Sequence, residues 1–189
     1  PRFFGGAVGL LAYDIVRYFE RLPNSPPDDL GVPGLYMMFT DTVLVFDNVR
    51  QTIKIIVNVP IKEFGTARAA YRSAAERIEE TIARLATPIA LPCLNRSSVA
   101  AEPPIVSNQT REGYMAMVTA AKEYIAAGDV IQVVPSQRFE APLVAHPFNI
   151  YRSLRSINPS PYMFYLRLGD HTVVGASPEV MVRVEGREI

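Results

Sequence analysis

Two periods of hydrophobicity alternate along the chain. "LYMMFTDTVLVFDNVRQTIKIIVNV", residues 35 to 59, is rich in β-branched and aromatic residues on either side of "DNVRQT". That pattern predicts two strands joined as a hairpin. From Glu63 to Leu85 the period lengthens. Ala67, Ala70, Tyr71, Ala74, Ala75, Ile78, Ile82 and Leu85 recur at intervals of mostly three and four, with Arg and Glu between them. This is the signature of an amphipathic helix.

The remaining segments follow the same logic. "FFGGAVGLLAYDIVRYFE" begins as an apolar run broken by Gly5, Gly6 and Gly9 and passes into helical spacing at Ile15, Val16 and Phe19, so a strand and a short helix are expected. "NSPPDDLGVPG", residues 24 to 34, is a surface loop by its Pro, Asp and Gly content. Residues 87 to 106 hold four prolines and no clear period, which predicts a linker. Beyond it, Thr110 is placed to cap a helix that carries Glu112 in its first turn and stops at Gly128. "VIQVVPSQRFEA" alternates like a strand, with Pro135 arguing for a bulge or an edge position. "HPFNIYRSLRSIN" predicts a helix with Ile150, Leu154 and Ile157 on one face, and the rest reads as strands turned at "GDH" and near "EGRE".

The pattern mixes strands and helices, with a boundary at the linker of about 87 to 106. Both ends stop inside patterned segments, so the chain reads as a fragment of a longer protein. Forty-nine per cent of its 189 residues are hydrophobic, enough for a real core. A complete domain of this size buries about 70% of its unfolded surface.

Charge narrows the function. Lys plus Arg and Asp plus Glu are 19 each, so no broad field draws in nucleic acid or an anionic membrane. The run from Phe3 to Leu11 is far shorter than the roughly 20 residues that span a bilayer, and it lacks the features of a signal peptide. A single cysteine, Cys93, excludes an internal disulfide framework and points to a reducing compartment, with the cytoplasm as default.

Several motifs fail on inspection. "FGGAVG" has Phe4 where the dinucleotide fingerprint needs glycine, which leaves close strand packing as the use of its glycines. "GASPE" has Pro178 and Glu179 where a nucleophile elbow needs other residues, so Ser177 reads as a turn residue. His146 and His171 stand far apart without a second cysteine, which argues against zinc and histidine-centred triads. Two segments remain. Gln132 lies in an apolar strand pattern, where it either faces water at an edge or must find partners at a cost of about 1 to 3 kcal/mol if it does not. In "NPSPYMF", Pro159 and Pro161 fix φ and remove two amide donors, giving a stiff apolar bend. That bend either turns the chain or holds a ligand.

The ordered set "GGAVGLLAYDIVRYFE", "DVIQVVPSQRFE", "YRSLRSINPSPYMFYL" and "GASPEVMVRV" resembles the large subunit (component I) of anthranilate synthase, in the chorismate-utilising enzyme family, over nearly the whole chain. The resemblance implies an α+β fold, a layered α/β sandwich with large antiparallel sheets and flanking helices, here incomplete, with residues 1 to 100 part of the family's N-terminal region and 105 to 189 the beginning of its chorismate-binding region. It also implies conversion of chorismate and ammonia to anthranilate and pyruvate in tryptophan biosynthesis. A glutamine amidotransferase partner, component II, supplies the ammonia. Mg²⁺ would neutralise a carboxylate and polarise the ring, and the family's glutamate ligands are expected downstream, with none in this chain. Relatives that add water carry a lysine base at the position of Gln132, so a glutamine there suits an amine-adding enzyme. By the same resemblance "NPSPYMF" lines the site where L-tryptophan inhibits. Pro161, Tyr162 and Met163 would touch the inhibitor, and Asn158, Pro159, Ser160 and Phe164 would shape the pocket. The family's "LLES"-type segment, which supplies polar contacts to tryptophan, and its downstream metal and chorismate motifs are not among these residues, so the fragment alone is expected to be inactive and to bind tryptophan weakly at best. The competing readings are aminodeoxychorismate synthase component I, which also carries glutamine at the Gln132 position, and a non-catalytic tryptophan-sensing or subunit-docking module.

Overall fold

The computed structural model describes residues 1–91 and 103–188. In chain order the elements are β1 (Gly6–Leu11), a 3₁₀ turn (Tyr13–Tyr18), β2 (Leu35–Thr40), β3 (Thr42–Asp47), β4 (Thr52–Val57), α1 (Ile61–Phe64) and α2 (Ala67–Leu85). There follow β5 (Val106–Ser107), α3 (Arg111–Ala127), β6 (Phe139–Glu140), α4 (Pro147–Ile157), β7 (Tyr162–Leu168) and β8 (His171–Ser177). The class is α+β. Among the described residues the antiparallel ladders are β1–β2, β3–β4, β5–β6 and β7–β8, each two strands wide.

The chain divides into two compact units, Pro1–Leu91 with Leu154–Ile189, and Pro92–Ser153. Cys93 and most of the proline-rich linker lie outside the described residues. Val106, at the linker's expected end, already pairs with Glu140.

In the larger unit the hairpin around "DNVRQT" forms as expected. Thr42 pairs with Val57 and Asp47 with Thr52, while Asp47 Oδ1 accepts from the Arg50 amide at 3.0 Å to shape the turn. The apolar run before it divides at Asp41, a break that carries no Gly or Pro signal: β2 pairs back with β1 and β3 pairs forward with β4. Asp41 is held by Asn58, Arg77 and Thr42, whose hydroxyl donates to Asp41 Oδ1 at 3.1 Å. Its carbonyl accepts from the Asn58 amide at 2.7 Å and from Asn58 Nδ2 at 3.3 Å, and its carboxylate lies 2.8 Å from the Arg77 guanidinium on α2. Gly9 serves the close approach expected of it, since a Cβ there would meet the Tyr36 carbonyl oxygen of β2 at 1.9 Å. α2 begins where Thr66 Oγ1 accepts from the Ala69 amide at 3.2 Å and lies against β4.

In the smaller unit both caps of α3 are those the sequence predicts. Thr110 Oγ1 accepts from the Gly113 amide at 3.0 Å, and Gly128 ends the helix in the left-handed region at φ 83°. The strand expected over residues 130 to 141 shrinks to Phe139–Glu140. Alternation favours an extended chain, but a ladder also needs a partner presenting amides and carbonyls in register, and among the described residues only Val106–Ser107 does so. His146 takes a turn role: its Nδ1 accepts from the Phe148 amide at 3.1 Å at the start of α4.

Burial is sparse. Among the described residues the buried apolar side chains are Ala70 and Leu168 and the buried polar one is Asn149, whereas Tyr13, Tyr18, Phe19, Phe39 and Ile131 are each more than 80% exposed. The core expected from composition is not built within these residues. Two-stranded ladders offer too little breadth to cover one another.

Candidate functional site

The proline bend is built at the join between α4 and β7, within the larger unit. α4 closes with the Asn158 amide donating to the Leu154 carbonyl at 2.8 Å. Pro159 and Pro161 cannot donate, so the polar wiring of the bend falls to Ser160. Its hydroxyl accepts from the Tyr162 amide at 3.1 Å and donates to the Ser177 carbonyl at the end of β8. Tyr162 pairs with Ser177 in the ladder, so this hydroxyl links the first residue of β7 to the last of β8.

Along β7 side chains alternate between faces. Tyr162 and Phe164 share one face, opposite Ser177 and Gly175, and each is 38% exposed. Met163 points to the other face, opposite Ala176, and is half-buried. Phe164 lies over Gly175, where a Cβ would come within 2.2 Å of Phe164 Cζ. The bend therefore presents two aromatic rings from one side of a stiff corner and a thioether from the other. Such groups suit a flat, apolar ring and cost little ordering on binding. Asn158, Pro159 and Pro161 are exposed at its rim, and Ser160 is half-buried beneath them.

Gln132 stands in the smaller unit, exposed, with no side-chain hydrogen bond among the described residues. Of the two readings open for it, the structure has the water-facing one. Its neighbours further along are better anchored. Gln137 Nε2 donates to Ser107 Oγ at 2.8 Å, the Arg138 amide donates to Asn108 Oδ1 at 2.8 Å, and the Arg138 guanidinium meets the Glu140 carboxylate at 2.6 Å.

Sequence reasoning missed the Ser160–Ser177 bond and the seat of Phe164 on Gly175. A signal for the first was present: a serine two residues before an available amide is a common side-chain turn. Pairing across the hairpin, which the second needs, is not local.

Among the described residues no three His, Cys, Asp or Glu side chains gather where they could hold a metal ion. The Mg²⁺ implied by the resemblance has no ligand set there, and no step is assigned to it. No helix among them is long and apolar enough to cross a membrane.

A family model described as chorismate binding enzyme matches residues 1–189. Anthranilate synthase component 1 of Pseudomonas putida is 47% identical over 98% of this chain, and that of Acetivibrio thermocellus is 46% identical over 98%. The Saccharomyces cerevisiae protein of the same name is 41% identical over 99%. The chain spans only 38%, 38% and 37% of the lengths of these relatives. A crystal structure of anthranilate synthase component I from Streptococcus pneumoniae TIGR4 matches with a TM-score of 0.71 at 30% identity, covering 97% of this chain and 41% of that one. The α+β class seen here is thus shared with that solved structure. On the match of its full length, the chain belongs to the chorismate binding enzyme family.

Proposed function

We propose that these residues work as a segment of an anthranilate synthase component 1, in which chorismate and ammonia give anthranilate and pyruvate. The observation that carries this reading is 41% to 47% identity, over nearly the whole chain, to three proteins of that name from distant organisms. Those names also favour it over the aminodeoxychorismate synthase reading. A component 2 amidotransferase would deliver the ammonia, and Mg²⁺ would find its ligands outside the described residues. A cytoplasmic setting fits this metabolism.

The bend at Asn158–Phe164 is the site for L-tryptophan as feedback inhibitor. Tyr162 and Phe164 would flank the indole, Pro161 and Pro159 would hold the wall rigid, and Met163 would complete the pocket from the strand's second face. Gln132, which cannot act as a base, suits a reaction whose nucleophile is ammonia. Because the chain spans little more than a third of its relatives, the isolated 189 residues are expected to be inactive.

The test is to assay the full-length protein carrying this segment for anthranilate fluorescence with chorismate, Mg²⁺ and ammonium, with and without L-tryptophan. Formation of anthranilate that tryptophan suppresses supports the reading. Aminodeoxychorismate as product, or anthranilate made by the isolated chain, would overturn it.

A further inference from the structure

We infer that Ser160 and Ser177 form a hydroxyl latch that transmits occupancy of the proline bend to the segment following β8. The inference rests on the tryptophan-site reading above.

Three hydrogen bonds define the latch. The Tyr162 amide donates to Ser160 Oγ at 3.1 Å, and Ser160 Oγ donates to the Ser177 carbonyl. Ser177 Oγ then donates to the Glu179 carbonyl at 2.9 Å, fixing the Ser177–Pro178–Glu179 turn. The Ser160 hydroxyl bridges two backbone groups, and the Ser177 hydroxyl ties its own residue to Glu179. Ser160 is bracketed by two prolines that supply no amides, and Tyr162, from whose amide it accepts, is the ladder partner of Ser177. A ring wedged beside Tyr162 displaces the Tyr162 amide, and that displacement passes through Ser160 to Ser177 and on to Glu179. The path is short and covalently continuous at Ser177.

The latch also separates holding from signalling. Tyr162, Phe164 and Met163 offer the ligand its apolar surface, while the hydroxyls carry the consequence. Coupling between two sites requires an element whose arrangement both of them bias, and this pair of bonds is such an element. Ser160 and Ser177 are positioning residues in this scheme.

The experiment uses the full-length protein with Ser177→Ala, Ser177→Thr, Ser160→Ala and Ser160→Thr variants. For each, tryptophan affinity is measured by calorimetry, and kcat/KM for chorismate is measured without and with saturating tryptophan. The expected result is that Ser177→Ala binds tryptophan within about threefold of the parent while the inhibition ratio at saturation falls about tenfold or more. Ser177→Thr, which keeps the hydroxyl, should restore the ratio. Ser160→Ala, which also alters the pocket, should lower both affinity and the inhibition ratio, with Ser160→Thr restoring both, and its ratio decides if Ser177→Ala fails to fold. A parental inhibition ratio in folded Ser177→Ala or Ser160→Ala overturns the latch. A parent that binds no tryptophan overturns the underlying site reading and the latch with it, and the calorimetry of the parent tells the two failures apart.

Discussion

The ring of Phe164 occupies the space that a side chain at residue 175 would need. A Cβ built on Gly175 would lie 2.2 to 2.9 Å from three atoms of that ring. The two residues are direct partners in the β7–β8 ladder, and a glycine there lets the aromatic ring settle flat across the strand. Gly175→Ala should therefore cost about 1 to 3 kcal/mol by overpacking. It should also displace the bend that runs into Phe164 and so weaken tryptophan inhibition. Urea unfolding of the full-length protein checks the first expectation, and inhibition curves check the second. Phe164→Leu in the same background should recover part of the stability, because neighbouring residues couple.

Tyr162→Ala should weaken tryptophan binding by about ten- to a hundredfold, the loss expected for removing about 1.5 to 3 kcal/mol of buried apolar contact. Met163→Thr should weaken inhibition while leaving catalysis. Because Tyr162 and Met163 leave β7 on opposite faces, both effects together would mean that the inhibitor wraps the strand's beginning. An effect of Tyr162 alone would confine it to the face shared with Phe164. Calorimetric titration of the two variants separates these outcomes.

The caps of α3 give a prediction free of any functional reading. Thr110→Ala removes the acceptor for the Gly113 amide and should cost about 1 kcal/mol. Gly128→Ala places a Cβ in the left-handed region and should cost about 1 to 2 kcal/mol. Thermal melts of the full-length protein measure both.

Acid should loosen the β3–β4 hairpin. Hydrogen bonds from the Arg77 guanidinium and then the Thr42 hydroxyl hold the Asp41 carboxyl below its ordinary value of 3.8. The Arg50 amide and then Lys54 do the same for Asp47. A carboxyl whose native pKa is depressed adds stability in full above its unfolded value, and loses it as pH falls through the native one. The contribution is thus present at neutral pH and disappears below about pH 4. Both groups are solvent-accessible, so the effect is small and shrinks with added salt. Urea midpoints from pH 7 to pH 3 should fall less steeply in Asp41→Asn than in the parent.

Where the determinants are local, the sequence was readable. Thr66 escaped notice, but Thr110, Gly128, Pro147 and the turn around Asn48 all announce their elements within a few residues. Those signals locate single helices and turns. Pairing is another matter. Nothing near Asp41 says that the chain leaves one ladder for another there, because the choice is made by β1, some thirty residues earlier in the chain. Residues 130 to 138 alternate as a strand should, yet no described strand pairs with them in a ladder. At the bend, stiffness was legible from Pro159 and Pro161, whereas the opposite facing of Tyr162 and Met163 became visible only once β7 had a register.

Sparse burial has a calorimetric consequence. The heat-capacity increase on unfolding tracks the apolar surface newly wetted. With Ala70 and Leu168 as the buried apolar side chains among the described residues, most of that surface is already wet. Heated alone, the 189 residues should give a shallow, drawn-out endotherm, with the caps of α3 and the hairpin turns melting piecemeal. In the cell such a piece would be food for proteases unless its greasy faces were already covered.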